Sequence, residues 1–398
     1  MGEWTGQEAE GRLPERAAQT LRSRPLGLYI HVPFCARRCG YCDFVTYTPR
    51  QLGGIGAPDY LRWAHAELAL ADRMLGGDRP VLTSMFVGGG TPTLLSPGQI
   101  GEVLGDARDR FGLAADAEVT CEANPETITP AVLDGLLAAG VTRLSLGMQS
   151  SVPHVLAVLD RRHTSGQALW AVTAAHAAGF ADVSLDLIFG APTESLDDWR
   201  ASLEAALAVD PDHISAYALI LEEGTPLARR VQRGELPPPS EDDQADKYLL
   251  AEEMLGAAGL ANYEISNWAR PGHECRHNLL YWHGDTWWGL GPGAHSHVGG
   301  TRWWNHAQVA RWGQALDAGA WPLAGREDLD DATRHEERVL LELRLAEGLP
   351  DDVLTPTERA RVPRLADVGL LRVSASGRLS LTLRGRLLAD KVTRDLLD

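Results

Sequence analysis

The chain has 398 residues, of which 44% are hydrophobic and 23% charged, a balance that suits a soluble globular protein of two or three domains or one large barrel with an appendage. Its 37 basic and 54 acidic residues give a formal charge of −17, which argues against a protein that coats nucleic acid or an anionic membrane, because phosphate binding needs a cationic face. Five cysteines are too few for a disulfide scaffold of this size, and twelve tryptophans are many.

The first twenty residues have no apolar run and carry several acids, so they do not form a secretory signal, and residues 1–23 read as a polar, poorly packed extension. Residues 80–101 hold no charge and are long enough to consider as a membrane span. Gly88, Gly89 and Gly90 followed by Pro92 would break a spanning helix, so a strand, a glycine loop and a helix start fit better. A cytoplasmic location is expected, where clustered cysteines point to metal or redox chemistry.

Strand-like runs at 28–32, 84–87, 118–122, 143–146, 183–188 and 213–219 alternate with helical patterns at 60–75, 97–110, 130–139, 165–178 and 196–209. Gly140 and Gly179 stand just past helices as stops. This alternation predicts parallel strands joined by crossover helices, an α/β fold. Six such units give a partial, TIM-like (β/α)6 barrel over residues 24–260, with the working residues at the C-terminal ends of the strands. Residues 261–325 are rich in Trp, His and Gly. Residues 326–398 read as helices at 331–346, 357–367 and 384–397 around a hairpin at 370–383 turning at Ser376 and Gly377, a small helical, winged-helix-like domain. Nine Lys or Arg against four acids in residues 359–398 leave a local nucleic-acid-binding face as a rival reading, although no nucleic acid is expected from the whole chain.

Cys35, Cys39 and Cys42 fall within eight residues, directly after the first strand. Thiolates are soft ligands suited to zinc and iron–sulfur clusters. Three of them can hold three irons of a [4Fe-4S] cube and leave the fourth open. A structural zinc site wants four ligands, and His31 keeps that alternative in view. Cys121 and Cys275 stand alone and read as inert buried residues.

The CxxxCxxC spacing, with Tyr41 before the third cysteine, resembles the radical S-adenosylmethionine (SAM) signature. With YIHVPFC at 29–35, GGGTPT at 88–93, CEANP at 121–125, LGMQS at 146–150 and DLIFG at 186–190, the chain is similar to the oxygen-independent coproporphyrinogen III oxidase group of that superfamily. The resemblance implies a [4Fe-4S] cluster on Cys35, Cys39 and Cys42. It also implies SAM contacts from Tyr29, Tyr41, Gly89, Gly90, Thr91, Glu122, Gln149, Arg161 and Asp186. The residues themselves suit such roles. Glycines let backbone approach the methionine end and hydrogen-bond it. Glu122 at a strand end can accept from ribose hydroxyls or the ammonium, and Gln149 can bond polar groups of SAM. Arg161 can pair with the carboxylate. The plain alternatives are a solvated strand end, a satisfied loop amide and a helix-solvating arginine. Asp186, set among apolar strand residues, needs a partner if buried.

The oxidase proper carries a further cysteine two residues after the third, where this chain has Phe44. Phe44 and the HNxxYW motif at 277–282 instead resemble the haem-chaperone branch, HemW. That likeness implies haem contacts from His277, Asn278, Tyr281 and Trp282, delivery of haem to acceptor proteins, dimerisation, and acceptors at membranes. Histidine is a common axial ligand of haem iron, and Tyr and Trp offer flat faces to a macrocycle. Eight of the twelve tryptophans follow residue 260 and six of the thirteen histidines lie between His273 and His306. Packing is the plain reading for most of those tryptophans. The alternative function is a radical SAM enzyme acting on a porphyrin. Phe44 argues against coproporphyrinogen III oxidase activity, and no catalytic residue is assigned.

Overall fold

In the computed structural model, which describes residues 13–398, six parallel strands follow one another in chain order. They are β1 (Leu26–Val32), β2 (Leu82–Gly89), β3 (Leu113–Ala123), β4 (Arg143–Gln149), β5 (Asp182–Phe189) and β6 (His213–Ala218). Each pairs with the next. Helices cover the outer face, so the strand residues that point there are apolar, while those on the inner face include the polar side chains that line a cavity. The crossover helices are Ala57–Leu75, Pro97–Phe111, Pro130–Ala138, Ser165–Ala178 and Leu196–Leu207. Ser96, Thr164 and Ser195 start three of them by accepting from the backbone N–H three residues on. Gly179 ends one in the left-handed conformation, φ 109°.

The sheet is larger than six strands. Residues 261–325 extend it at both edges: β7 (Ala261–Glu264) and β8 (Asn267–Ala269) continue antiparallel beyond β6. At the other edge β9 (Thr286–Leu290) lies parallel to β1 as a seventh parallel strand. Beyond it come β10 (His295–Val298), β11 (Thr301–Asn305) and β12 (Leu323–Asp328), all antiparallel. These strands are short, and their Trp, His and Gly content hides the alternation that marks a strand.

The tryptophans of this region mostly pack. Ring centroids of Trp288 and Trp303 are 5.1 Å apart, and those of Trp303 and Trp321 5.3 Å. A buried Glu67 binds the edge strands to the helix Ala57–Leu75. It accepts from Trp312 Nε1 at 2.8 Å, Asn305 Nδ2 at 2.6 Å and the Gly291 N–H at 2.9 Å. Burial pushes its carboxyl up to about 7 against those three donors.

The C-terminal region has a core of its own, including Val339, Leu349, Leu365, Leu379, Val392 and Leu396. The helices Asp331–Glu342, Val362–Asp367 and Ala389–Leu397 surround a sheet of β13 (Leu349–Pro350), β14 (Leu371–Val373) and β15 (Arg378–Leu381). The expected hairpin is β14 and β15, paired antiparallel. At the other end, part of the expected polar extension is packed: Glu15–Leu21 is a helix with Ala17 and Leu21 buried. Residues 1–12 of that extension lie outside the described residues. Among the described residues no helix is long and apolar enough to cross a membrane.

Candidate functional site

The loop after β1 carries Cys35, Cys39 and Cys42, none in a disulfide. It closes on itself where the Cys35 N–H donates to Tyr47 O at 3.0 Å and the Tyr47 N–H to Pro33 O at 2.7 Å. It is also clamped to the glycine loop after β2: the Gly90 N–H donates to Val32 O at 2.8 Å and the Thr91 N–H to Phe34 O at 2.7 Å. A Cβ on Gly90 would run into the Phe34 carbonyl oxygen, and one on Gly89, φ 108°, would meet the His31 ring at 2.6 Å. The glycines therefore let two backbones touch. The Gly89 N–H is held by Glu122 Oε2 at 3.0 Å. The amides of Gly89, Gly90 and Thr91 are thus committed within the protein, which leaves the carbonyls of this loop as its backbone groups for a ligand.

A polar network joins the thiols to the following strands. The Thr91 hydroxyl lies 4.0 Å from Cys35 Sγ and accepts from Asn124 Nδ2 at 2.9 Å. Asn124 Oδ1 accepts from Arg161 Nη2 at 2.8 Å, which also reaches Gly147 O at 2.8 Å. Arg161 Nη1 points at Cys39 Sγ, 3.5 Å away. Asn124 is the connecting residue that sequence reading missed, and its only signal was its place in the CEANP motif.

Burial pushes the Cys35 and Cys42 thiols up, and a bound cation would favour their thiolates. Three free thiols on one loop, facing one cavity, fit an iron–sulfur cluster with one open iron. His31 is not placed to complete a zinc site. Its Nδ1 bonds the Tyr29 hydroxyl at 3.0 Å and its Nε2 the Val45 carbonyl at 2.8 Å. Among the described residues no three His, Cys, Asp or Glu side chains converge on a single ion. Thiolates around a cube stand further apart than those around one ion.

All nine residues expected to contact SAM line the same cavity of about 670 Å³ as the three cysteines. Residues from β1 through β6 share it, so the sheet curls around it. Burial and the neighbouring Asp186 push the Glu122 carboxyl up to about 7, against the Gly89 N–H that stabilises its charge. Asp186 has the partner its surroundings demanded: the Ser145 hydroxyl lies 3.0 and 2.9 Å from its two oxygens. Gln149 sits in the left-handed region, φ 63°, where β4 slips register against β5. A non-glycine residue held there is strained, a feature common where a side chain must be aimed at a ligand. Phe44 stands at the cavity rim, 59% exposed.

The HNxxYW segment forms the helix Arg276–Trp282, which closes the cavity. Glu118 of β3 holds its N-terminus, accepting from the Arg276 N–H at 2.8 Å and the His277 N–H at 3.1 Å. His277, Asn278 and Tyr281 line the cavity, whereas Trp282 does not. His277 is 1% exposed and both ring nitrogens are engaged, Nδ1 with Ser84 Oγ at 2.7 Å and Nε2 with the Tyr281 hydroxyl at 2.8 Å. Burial lowers its pKa to about 4, so the ring is neutral at pH 7. In this arrangement neither nitrogen is free for a metal. Cys275 beside it is buried against Glu118, and burial pushes its thiol up to about 12. Arg143, Tyr263 and His213 also line this end and were not picked out from the sequence, because they come from three separate strands.

The radical SAM superfamily matches residues 29–206. A protein of Mycobacterium tuberculosis named heme chaperone HemW is 52% identical over 94% of this chain and 95% of its own length. Another of that name from Bacillus subtilis is 33% identical over 92% of this chain and 97% of its own. Among solved structures, coproporphyrinogen III oxidase (HemN) from Escherichia coli superposes with a TM-score of 0.83 at 24% identity, covering 100% of this chain and 93% of that one. That last likeness concerns the fold.

Proposed function

The chain belongs to the HemW family of radical SAM proteins, and on that premise we propose that it is a haem chaperone holding a [4Fe-4S] cluster, SAM and haem and passing haem to acceptor proteins. The observation that carries the reading is the identity to heme chaperone HemW across nearly the whole chain, 52% over 94% of it. The cavity supports it: the three cysteines would hold the cluster, and the SAM-facing residues share their space. A cluster with an open iron supplies one-electron chemistry to a bound SAM. The chain's own residues bind and orient. Arg161, fixed by Asn124 and the Gly147 carbonyl, would turn its guanidinium to the carboxylate end of SAM. Glu122 would accept from its ribose or ammonium, and Asp186, Gln149, Tyr29 and Tyr41 would complete the walls. Since the glycine-loop amides are taken, contacts of Gly89, Gly90 and Thr91 with SAM would run through their carbonyls or the Thr91 side chain.

For haem, His277, Asn278 and Tyr281 are the motif residues within reach of the cavity. His277 serves as a ligand only after releasing Ser84 or Tyr281. A Soret band that shifts in His277→Ala assigns it as ligand; an unchanged band leaves it as part of the floor. A cytoplasmic homodimer that meets haem acceptors at the membrane surface completes the proposal. It is tested by incubating the reconstituted protein with SAM, a reductant and coproporphyrinogen, and separately with haem and an apo-acceptor. Haem transfer without porphyrinogen decarboxylation is expected. Efficient conversion to protoporphyrinogen would overturn the chaperone reading.

A further inference from the structure

Arg143 begins β4, and its side chain points to the same side as Ser145 and Gly147, which alternate along the strand and line the cavity. It is 3% exposed, and its Nε and Nη1 are buried with no hydrogen-bond partner among the described residues. A guanidinium in that state is costly, since each unmet buried donor forfeits its hydration. The ionisable groups that act on its charge most strongly are Cys275, Glu118, Tyr263 and Asp182, and it acts in turn on Asp186 and His213. The carboxylates among them are occupied elsewhere. Glu118 accepts from Arg276, His277, Thr120 and Cys275. Asp186 is held by Ser145, and Asp182 by His273. They offset the charge of Arg143 without taking its hydrogens. Its free donors therefore point to a group that arrives with a ligand.

We propose that Arg143 is the anchoring cation for a carboxylate of the ligand that fills the lower part of the cavity, and that this carboxylate is a haem propionate. The planar fork of Arg matches a carboxylate with two parallel hydrogen bonds. Tyr263 and Asn278 stand in the same wall as further polar contacts. A second carboxylate source is the methionine end of SAM. That end belongs beside the cysteines and Arg161, whose guanidinium is fixed on the Gly147 carbonyl. Arg143 leaves the same strand four residues before Gly147, so its backbone starts roughly 13 Å further from the cysteine loop at the rise of a strand, and its side chain enters the cavity from the lower end. Haem has carboxylates to place at that depth once SAM occupies the upper end.

This inference rests on the haem-binding reading, and the experiment separates the two. Haem and haem dimethyl ester, whose propionates are esterified, are titrated into the full-length protein and followed at the Soret band. SAM binding is followed in parallel by its effect on the cluster EPR signal. The wild type is expected to bind haem roughly ten- to a hundredfold more tightly than the ester, the worth of hydrogen bonds to a charged group. Arg143→Met is expected to bind both alike with SAM affinity unchanged, and Arg143→Lys to restore part of the preference. The wild-type comparison needs no variant and so does not depend on the folding of either. Equal binding of haem and ester by the wild type overturns the inference, as does a preference that survives in Arg143→Met and so marks the unmet donors as water-filled. Loss of SAM affinity in Arg143→Met with the ester preference intact gives the carboxylate to SAM and overturns the haem assignment. Absence of any haem binding by the wild type is the distinct failure of the haem reading itself.

Discussion

The two ends of the cavity are built on opposite principles. At the upper end the protein spends its backbone: amides of Gly90 and Thr91 tie the cysteine loop to β2, and Asn124 and Arg161 tie the thiols to β3 and β4. The thiols themselves, none in a disulfide, face the cavity. At the lower end the motif residues satisfy one another: Ser84, His277 and Tyr281 form a chain, and Glu118 caps the helix beneath it. Among the described residues lining that end, Arg143 is the one with buried donors left unmet. The difference teaches that a sequence motif can mark scaffolding as readily as ligation. What identifies a ligand position is the valence left over after the protein's own bonds are counted.

The contrast is most sharply tested at the thiols. Alanine at Cys35, Cys39 or Cys42 is expected to reduce iron after anaerobic reconstitution from roughly four per chain to near none, with the fold retained by circular dichroism. Retained iron in any of the three would remove that residue from the cluster. Gly90→Ala comes next, because its methyl would push the Phe34 carbonyl and with it the cysteine loop. A loss of about 1–3 kcal/mol in denaturant unfolding is expected, together with poorer cluster loading. An unaffected variant would show that the two backbones do not need to touch.

Smaller effects follow from side chains that only orient. Arg161→Lys keeps the charge and loses the fork, so SAM affinity should fall by about tenfold while iron content stays near wild type. A normal SAM affinity would return Arg161 to a purely structural role. The mildest test is pH. The Glu122 carboxyl, raised to about 7 from its ordinary 4.5, stays protonated in the folded protein where the unfolded chain has already ionised. It therefore withdraws stability as pH rises from 4.5 through 7. Its charged form is the one that accepts from SAM. Affinity for SAM should rise as pH goes from 6 to 8, by at most about tenfold, and Glu122→Gln should flatten the curve. A wild-type curve already flat would contradict that role.

How far this arrangement could be read from the sequence follows the same division. The upper end was legible because its chemistry is local: three cysteines in eight residues, and short motifs at successive strand ends. The parallel strands were legible for the same reason, since each is an apolar run followed by a capped helix. The lower end was not. Arg143, His213 and Tyr263 lie on β4, β6 and β7 and meet only because the sheet curls. Nothing in the spelling of HNxxYW tells that Trp282 stands outside the cavity or that Ser84 and Tyr281 occupy His277. The edge strands β9–β12 were hidden in the tryptophan-rich segment, where Trp288, Trp303 and Trp321 pack on one another.

The most direct test of the central claim, that one cavity serves a cluster with SAM at one end and haem at the other, is a haem titration of the anaerobically reconstituted protein. The Soret band and the EPR signal of the reduced cluster are recorded on the same sample, with and without SAM. The expected result is a saturable Soret band and a cluster signal that SAM perturbs. A protein that takes up zinc but no iron, or a cluster signal indifferent to SAM, or no Soret band at all, would contradict it.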